Sequence, residues 1–279
     1  MMNLSVRRAI TILEHLAEAQ EPKELTAVSH DLAMNKSTVY RFLSTLAEAG
    51  YVRQESDTGR YALGPRVAWL AAKFLEAMDI RQLARPILEE LSRESDETIH
   101  LAILDRDEVV YIDKINGKQA VQMASRVGSR APVYSTALGK VMLADLPESQ
   151  WQRYVSEVRL TPRTPNTIVA PEAFFEHLRQ VRKQNYSIDD VEDEEGIRCV
   201  AASIRDHTGK TIAALSITGW IITMTPQKVE SLVPLAQKAA LAISKQLGFN
   251  HLEERAPGSE GVRKAEPSPI QNLLATVQT

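Results

Sequence analysis

Two short helical patterns separated by a tight turn set the strongest limit on this chain. Leu25, Val28 and Leu32 mark the first pattern. After Ala33-Met34-Asn35, the residues Val39, Phe42, Leu43 and Leu46 recur at i, i+3, i+4 and i+7 and mark the second. The face opposite that stripe carries Ser37, Tyr40, Arg41 and Ser44, with Lys36 and Thr38 in the first turn, and no acidic residue falls between Asn35 and Ala47. Two helices on such a turn form a helix-turn-helix, whose second helix enters a nucleic-acid groove. An amphipathic helix that only packs on a core carries the same stripe, so the neighbouring sequence has to decide.

Ser5 is placed to cap a preceding helix with apolar positions Val6, Ala9, Ile10, Leu13, Leu16 and Ala17, broken before Pro22. Arg7 and Arg8 in its first turn oppose the helix dipole, which suits either a phosphate or a solvated face. Gly50 is a natural left-handed stop for the reader helix. Tyr51–Glu55 and Arg60–Leu63 then flank the polar turn Ser56-Asp57-Thr58-Gly59, which reads as a hairpin. Three helices and a hairpin make a winged helix-turn-helix, with Arg60 as the wing's phosphate contact and Arg53 as a second candidate. Gly64-Pro65 opens a further helix, with Val67, Leu70, Ala71 and Phe74 on one side and Trp69 adding bulk. That stripe fits pairing with a second copy or packing within the chain. The expected division is a DNA-binding domain at 1–64, a linker helix at 65–78, a second domain at 79–249 and a mobile tail at 250–279.

Composition narrows the classes. The net charge of the 279 residues is −3, and the first 75 residues hold nine Lys/Arg against eight Asp/Glu, so DNA binding must rest on a local patch. One cysteine excludes a disulfide framework. No apolar run reaches the roughly 18–20 residues of a membrane span, and no signal-peptide pattern opens the chain; the cytoplasm is the expected compartment.

In the second domain, Asp79 caps a helix, and strands are expected at Thr98–Leu104, Val109–Ile115 and Ala120–Ala124. A loop at Arg126–Pro132 precedes helices near Thr136–Ala144, Glu148–Glu157 and Glu172–Gln184. Strands near Arg198–Arg205 and Thr211–Thr218 turn at His207-Thr208-Gly209, and a last helix runs from Thr225-Pro226 to Gly248. Strands adjacent in sequence and joined by short turns imply an antiparallel sheet with helices beside it, hence α+β. The six histidines, at 15, 30, 100, 177, 207 and 251, have no metal-ligand spacing, and the glycines form no phosphate loop; no metal or cofactor is expected. The acidic run Asp189–Glu195 reads as a solvated loop. The rival class is a small-molecule enzyme with Cys199 as nucleophile, although no histidine partner is evident; a third reading uses the N-terminal domain for protein contacts only.

Pairing geometry points elsewhere. With Arg205 opposite Ile212, Cys199 faces Thr218 and Ala201 faces Ser216, all four on one side of the sheet. Two hydroxyls, a thiol and an alanine make a shallow hydrogen-bonding floor. The helix after Thr136 offers free N–H groups at Ala137, Leu138 and Gly139 and a positive dipole end, which suits a carboxylate. A small organic acid fits between them, with Asp189 accepting from its hydroxyls; a core in which these polar groups satisfy one another is the alternative.

Several of these stretches resemble the IclR family of bacterial transcriptional regulators. They are Ser5–Leu13, Asn35–Arg41, Gly59-Arg60-Tyr61, Tyr134–Lys140 and Glu195–Ala202, and the resemblance spans about residues 4–249. Glu97–Leu101 and Val110–Ile115 are most similar to the branch controlling ketodeoxygluconate and other sugar-acid catabolism. The resemblance implies a winged helix-turn-helix, a linker helix and a GAF-like effector domain, in homodimers or homotetramers on palindromic double-stranded operator DNA. It implies a repressor, with an activator as the alternative, governed by a small organic or sugar acid. Carried over by position, the effector contacts fall on Ala137, Leu138, Asp189, Cys199, Ser216 and Thr218. Thr218 departs from the serine common there, and its extra methyl narrows the floor.

Overall fold

The computed structural model describes residues 3–77, 79–118 and 124–250. Most of the strand expected at 120–124, the tail beyond Asn250 and the Phe74 side chain lie outside the described residues. The chain divides into two compact units, 1–79 and 80–279.

In the first unit, helices α1 (Leu4–Glu18), α2 (Leu25–Asp31) and α3 (Lys36–Glu48) precede a hairpin, β1 (Val52–Gln54) with β2 (Tyr61–Leu63), and then α4 (Pro65–Ala77). The predicted stripe of α3 is its buried side: Val39 and Leu43 are fully buried beside Ile12, Leu16 and Val28, with Phe42 and Leu46 packed at the margin. Each such burial contributes about 1.5–3 kcal/mol. Two details of α1 depart from expectation. Asn3, not Ser5, caps α1, its Oδ1 accepting from the Ser5 and Val6 N–H groups at 3.0 and 3.4 Å. The buried side of α1 is centred on Ile12 and Leu16, which leaves Val6 and Ile10 exposed. Trp69 and Leu70 of α4 are also exposed, the Trp69 ring lying under the Arg66 guanidinium at 4.0 Å.

The turn between α2 and α3 is closed by two backbone bonds, Met34 N–H to Ser29 C=O at 3.0 Å and Ala33 N–H to His30 C=O at 3.1 Å. Ser29 adds a third, its hydroxyl donating to Met34 C=O at 2.6 Å. This is a Schellman stop, and it puts Ala33 at φ +50°, where a Cβ is strained. The same stop ends α3, with Gly50 at φ +80° and Tyr51 N–H bonded to Leu46 C=O at 2.8 Å.

The second unit holds one antiparallel sheet in the order β5-β4-β3-β8-β7-β6. Its strands are β3 (Thr98–Asp105), β4 (Glu108–Ile115), β5 (Arg130–Pro132), β6 (Ser187–Asp190), β7 (Ile197–Arg205) and β8 (Thr211–Trp220). Its helices are α5 (Ile80–Ser95), α6 (Ala137–Ala144), α7 (Glu148–Glu157), α8 (Pro171–Gln184) and α9 (Pro226–Gln246). One face of the sheet packs with α6, α7 and α8 around Ala102, Val109, Ala201 and Ala214. The other face meets α5 and α9 with the alternate residues, among them Leu101, Val200, Ile204 and Ile217. Both central hairpins form as read from the sequence.

Two strands were not foreseen. The stretch read as a loop at 126–132 ends in β5, which pairs Val109 with Ala131. The acidic run read as a solvated loop begins as β6, with Asp189 paired to Cys199 and both Asp189 and Glu192 buried. The β7–β8 register holds Cys199 against Thr218 and Ala201 against Ser216, but a bulge after Ile204 puts Arg205 opposite Thr211 rather than Ile212.

Ala33→Gly removes a left-handed alanine at the helix-turn-helix turn, a relief of about 1–2 kcal/mol offset by the greater freedom of the unfolded glycine. A net gain of about 0.5–1 kcal/mol in urea unfolding of the first unit is expected.

Candidate functional site

On α3, the residues chosen from sequence stand away from the core. Lys36, Ser37, Tyr40, Arg41 and Ser44 are exposed and Thr38 is half-buried. Tyr40, at 53% exposure, is a large aromatic left in solvent by a helix whose other side is fully packed. Neither Lys36 nor Arg41 forms an ion pair among the described residues. Arg60 behaves differently: its guanidinium lies 3.3 Å from Glu24 Oε1, so a phosphate there has to displace a carboxylate. The wing is steadied by Lys23, which exchanges backbone bonds with Tyr61 at 2.9 and 2.8 Å.

In the second unit, Ala137, Leu138, Asp189, Cys199, Ser216 and Thr218 line a single cavity of about 480 Å³, mouth included. The roof is the start of α6. Thr136 caps it, its hydroxyl accepting from Gly139 N–H at 3.1 Å and donating to Pro132 C=O at 2.7 Å. The expected free N–H at Gly139 is therefore taken, while those of Ala137 and Leu138 have no protein acceptor among the described residues. Gly139 lets the roof sit low, since a Cβ there would stand 2.3 Å from the Val133 backbone.

The acidic wall is held by a lysine. Lys140, one turn into α6, is 0% exposed, is ion-paired to Glu192 and donates to Ile188 C=O at 2.8 Å. Asp189 Oδ1 accepts from the Glu192 N–H at 2.7 Å. Burial raises the Asp189 carboxyl to about 7, against the opposing field of Lys140. Asp193 completes this wall, bonded to Ser135 Oγ at 2.6 Å and paired with Arg163 at 2.7 Å.

Sequence reasoning missed His100, Tyr111, Ser125, Asp193, Glu194 and Ile197, all of which line the cavity. His100 enters because β3 lies beside β8, which sets it opposite Ser216. A polar Thr98-x-His100 alternation in an apolar strand was the available signal. Burial, then the charge of Lys114, lowers the His100 imidazole to about 3, so it is neutral. Cys199 is also lined up with the cavity, but burial and then Asp189 push its thiol well above the ordinary range. No histidine hydrogen-bonds it among the described residues, so its nucleophilic thiolate is disfavoured. Among the described residues no cluster of His, Cys, Asp or Glu could hold a metal ion, and no helix is long and apolar enough to cross a membrane.

Residues 5–56 match the IclR helix-turn-helix domain, and residues 72–245 match the C-terminal domain of the bacterial transcriptional regulator IclR. The chain belongs to the IclR family. Among its relatives are the Escherichia coli HTH-type transcriptional regulators XynR and KdgR. XynR is 38% identical over 88% of this chain and 97% of its own length, and KdgR 39% identical over 88% and 93%. The crystal structure of Thermotoga maritima IclR is similar at a TM-score of 0.60 with 34% identity, covering 88% of this chain and 99% of that one. As an IclR-family member, the chain is a DNA-binding transcriptional regulator with a winged helix-turn-helix and an antiparallel α+β domain.

The raised Asp189 carboxyl has a consequence for stability. The folded state keeps a proton that the unfolded chain releases near pH 4, so stability falls as pH rises from about 4 to about 7. Asp189→Asn keeps the Oδ1 acceptor and should flatten urea-unfolding free energies across that window; an unchanged slope places the titration elsewhere.

Proposed function

We propose that this regulator is a cytoplasmic homo-oligomeric repressor of an organic- or sugar-acid catabolic operon, released from operator DNA by a small carboxylate. The observation that carries the effector reading is the cavity: its roof offers two N–H groups at a helix N-terminus that are unbonded among the described residues, and its floor offers Cys199, Ser216 and Thr218. In this reading Ala137 and Leu138 receive the carboxylate, and Asp189 accepts from hydroxyls. The likeness to KdgR, a regulator of the sugar-acid class, and the motifs at 97–101 and 110–115 support the acid class.

Ser37, Thr38, Tyr40, Arg41 and Ser44 read and anchor in the major groove, while Lys36 and Arg60 hold phosphates, Arg60 exchanging Glu24 for the DNA. The exposure of Lys36, Ser37, Tyr40, Arg41 and Ser44 and the lack of any acid from Lys36 to Ala47 support that assignment. Paired copies place two recognition helices one turn, about 10 bp, or a multiple apart. By linkage, an acid that weakens DNA binding is itself held more weakly in the DNA complex. A nucleophilic Cys199 gains no support from a thiol pushed upward by burial.

Arg41→Ala should abolish the preference for DNA from the chain's own upstream region over random DNA in a low-salt gel shift, with the melting temperature unchanged. Unaltered operator affinity would remove the reader assignment. Separately, a panel of keto- and hydroxy-sugar acids should raise the melting temperature, because a ligand that binds only the native state stabilises it. A flat response across the panel sinks the sugar-acid reading.

A further inference from the structure

The cavity floor continues beyond the residues already assigned to the effector. His100 is 3% exposed, and its ring edge faces hydroxyls on both sides. Nε2 lies 2.7 Å from Ser125 Oγ, and Nδ1 lies 3.3 Å from Thr218 Oγ1 and 3.5 Å from Ser216 Oγ. Thr218 and Ser216 are themselves 3.2 Å apart. Ser125, imidazole, Thr218 and Ser216 therefore form one hydrogen-bond chain along the floor. Tyr111 backs the imidazole at 4.9 Å between ring centres, and Lys114 ties down the Ser125 carbonyl at 2.8 Å.

A neutral imidazole has one N–H and one acceptor nitrogen, and each hydroxyl can both donate and accept. With the proton on Nε2, the ring donates to Ser125 and accepts from Thr218; with it on Nδ1, every bond in the chain reverses. The chain's sense therefore decides whether the floor offers a donor or an acceptor to a molecule above it. The imidazole is held neutral by burial, so no charge opposes either sense.

Position adds a length requirement. Asp189 stands on β6 and His100 on β3, with β7 and β8 between them. Three strand spacings separate them, about 14 Å across the sheet. A two- or three-carbon acid covers about one spacing and reaches one end of the floor, not both.

We propose that the His100–Ser125 pair is a specificity-determining second recognition point in this cavity, selecting an extended polyhydroxy acid whose far hydroxyl joins the Ser125–His100–Thr218–Ser216 chain. The proposal rests on the acid-binding reading of the cavity and assigns it a distal end. An extended acid gains one hydrogen bond there that a short acid cannot make, a difference of up to about tenfold in affinity.

The test is isothermal titration of the full-length protein with gluconate, glycerate and pyruvate, in wild type, Ser125→Ala and His100→Gln. Ser125 is only half-buried, so its variant keeps the test open if the histidine variant fails to fold. Gluconate should bind wild type more tightly than the two short acids, and each variant should lose about tenfold for gluconate while glycerate and pyruvate stay unchanged. Gluconate should also shift the His100 ring nitrogens in ¹⁵N-histidine spectra, a change that a purely structural ring would not show. An equal loss for all three acids, or no loss for gluconate, overturns the role of His100 and Ser125 and leaves the acid-binding reading standing. Absence of binding by any of the three to wild type overturns the acid-binding reading, and this proposal with it.

Discussion

The second unit depends on a charge that has no access to water. An ammonium buried in protein costs several kcal/mol unless it is paired and hydrogen-bonded. Lys140 meets that requirement only by drawing Glu192 and the Ile188 carbonyl beneath α6. Those two partners bracket Asp189, so satisfying the lysine fixes the turn that carries the cavity's acidic wall. The same pull explains why a run of acids, hydrophilic by composition, is folded inward and begins as a strand.

What could be read from the sequence follows the range of the interactions involved. The helix-turn-helix, its Gly50 stop and the wing depend on residues a few positions apart, and spacing was enough to place them. The β7–β8 register was legible because a short turn joins the strands; only the bulge beyond Ile204 escaped, since nothing local marks it. His100 and Thr218 meet across 118 positions, and no local pattern announces that β3 lies beside β8. The burial of Asp189 was hidden for the same reason, because its compensating lysine sits in a helix nearly fifty residues earlier. The Asn3 cap and the exposed Val6 and Ile10 show a milder failure. A helix with apolar residues on more than one side does not declare which side faces the core.

The two units solve opposite electrostatic problems. On α3, polar and cationic groups are kept in solvent with no acid before Glu48, at little cost in stability. In the cavity, acids, hydroxyls and an imidazole are taken out of water, and each needs a partner held in place by backbone or by another side chain. The first arrangement suits a large polyanion met at the surface, and the second suits a small molecule that replaces lost hydration.

The borders of the six-stranded sheet carry a consequence for solubility. Each border strand is short: β5 is three residues ending in Pro132, and β6 is four residues with two aspartates. Long, flat, apolar borders recruit further strands and lead to fibres, whereas proline and charge on brief borders interrupt that growth. Continuation of the sheet from copy to copy through β5 or β6 is thus disfavoured, which leaves helix and loop surfaces as the better route for association of copies through this unit.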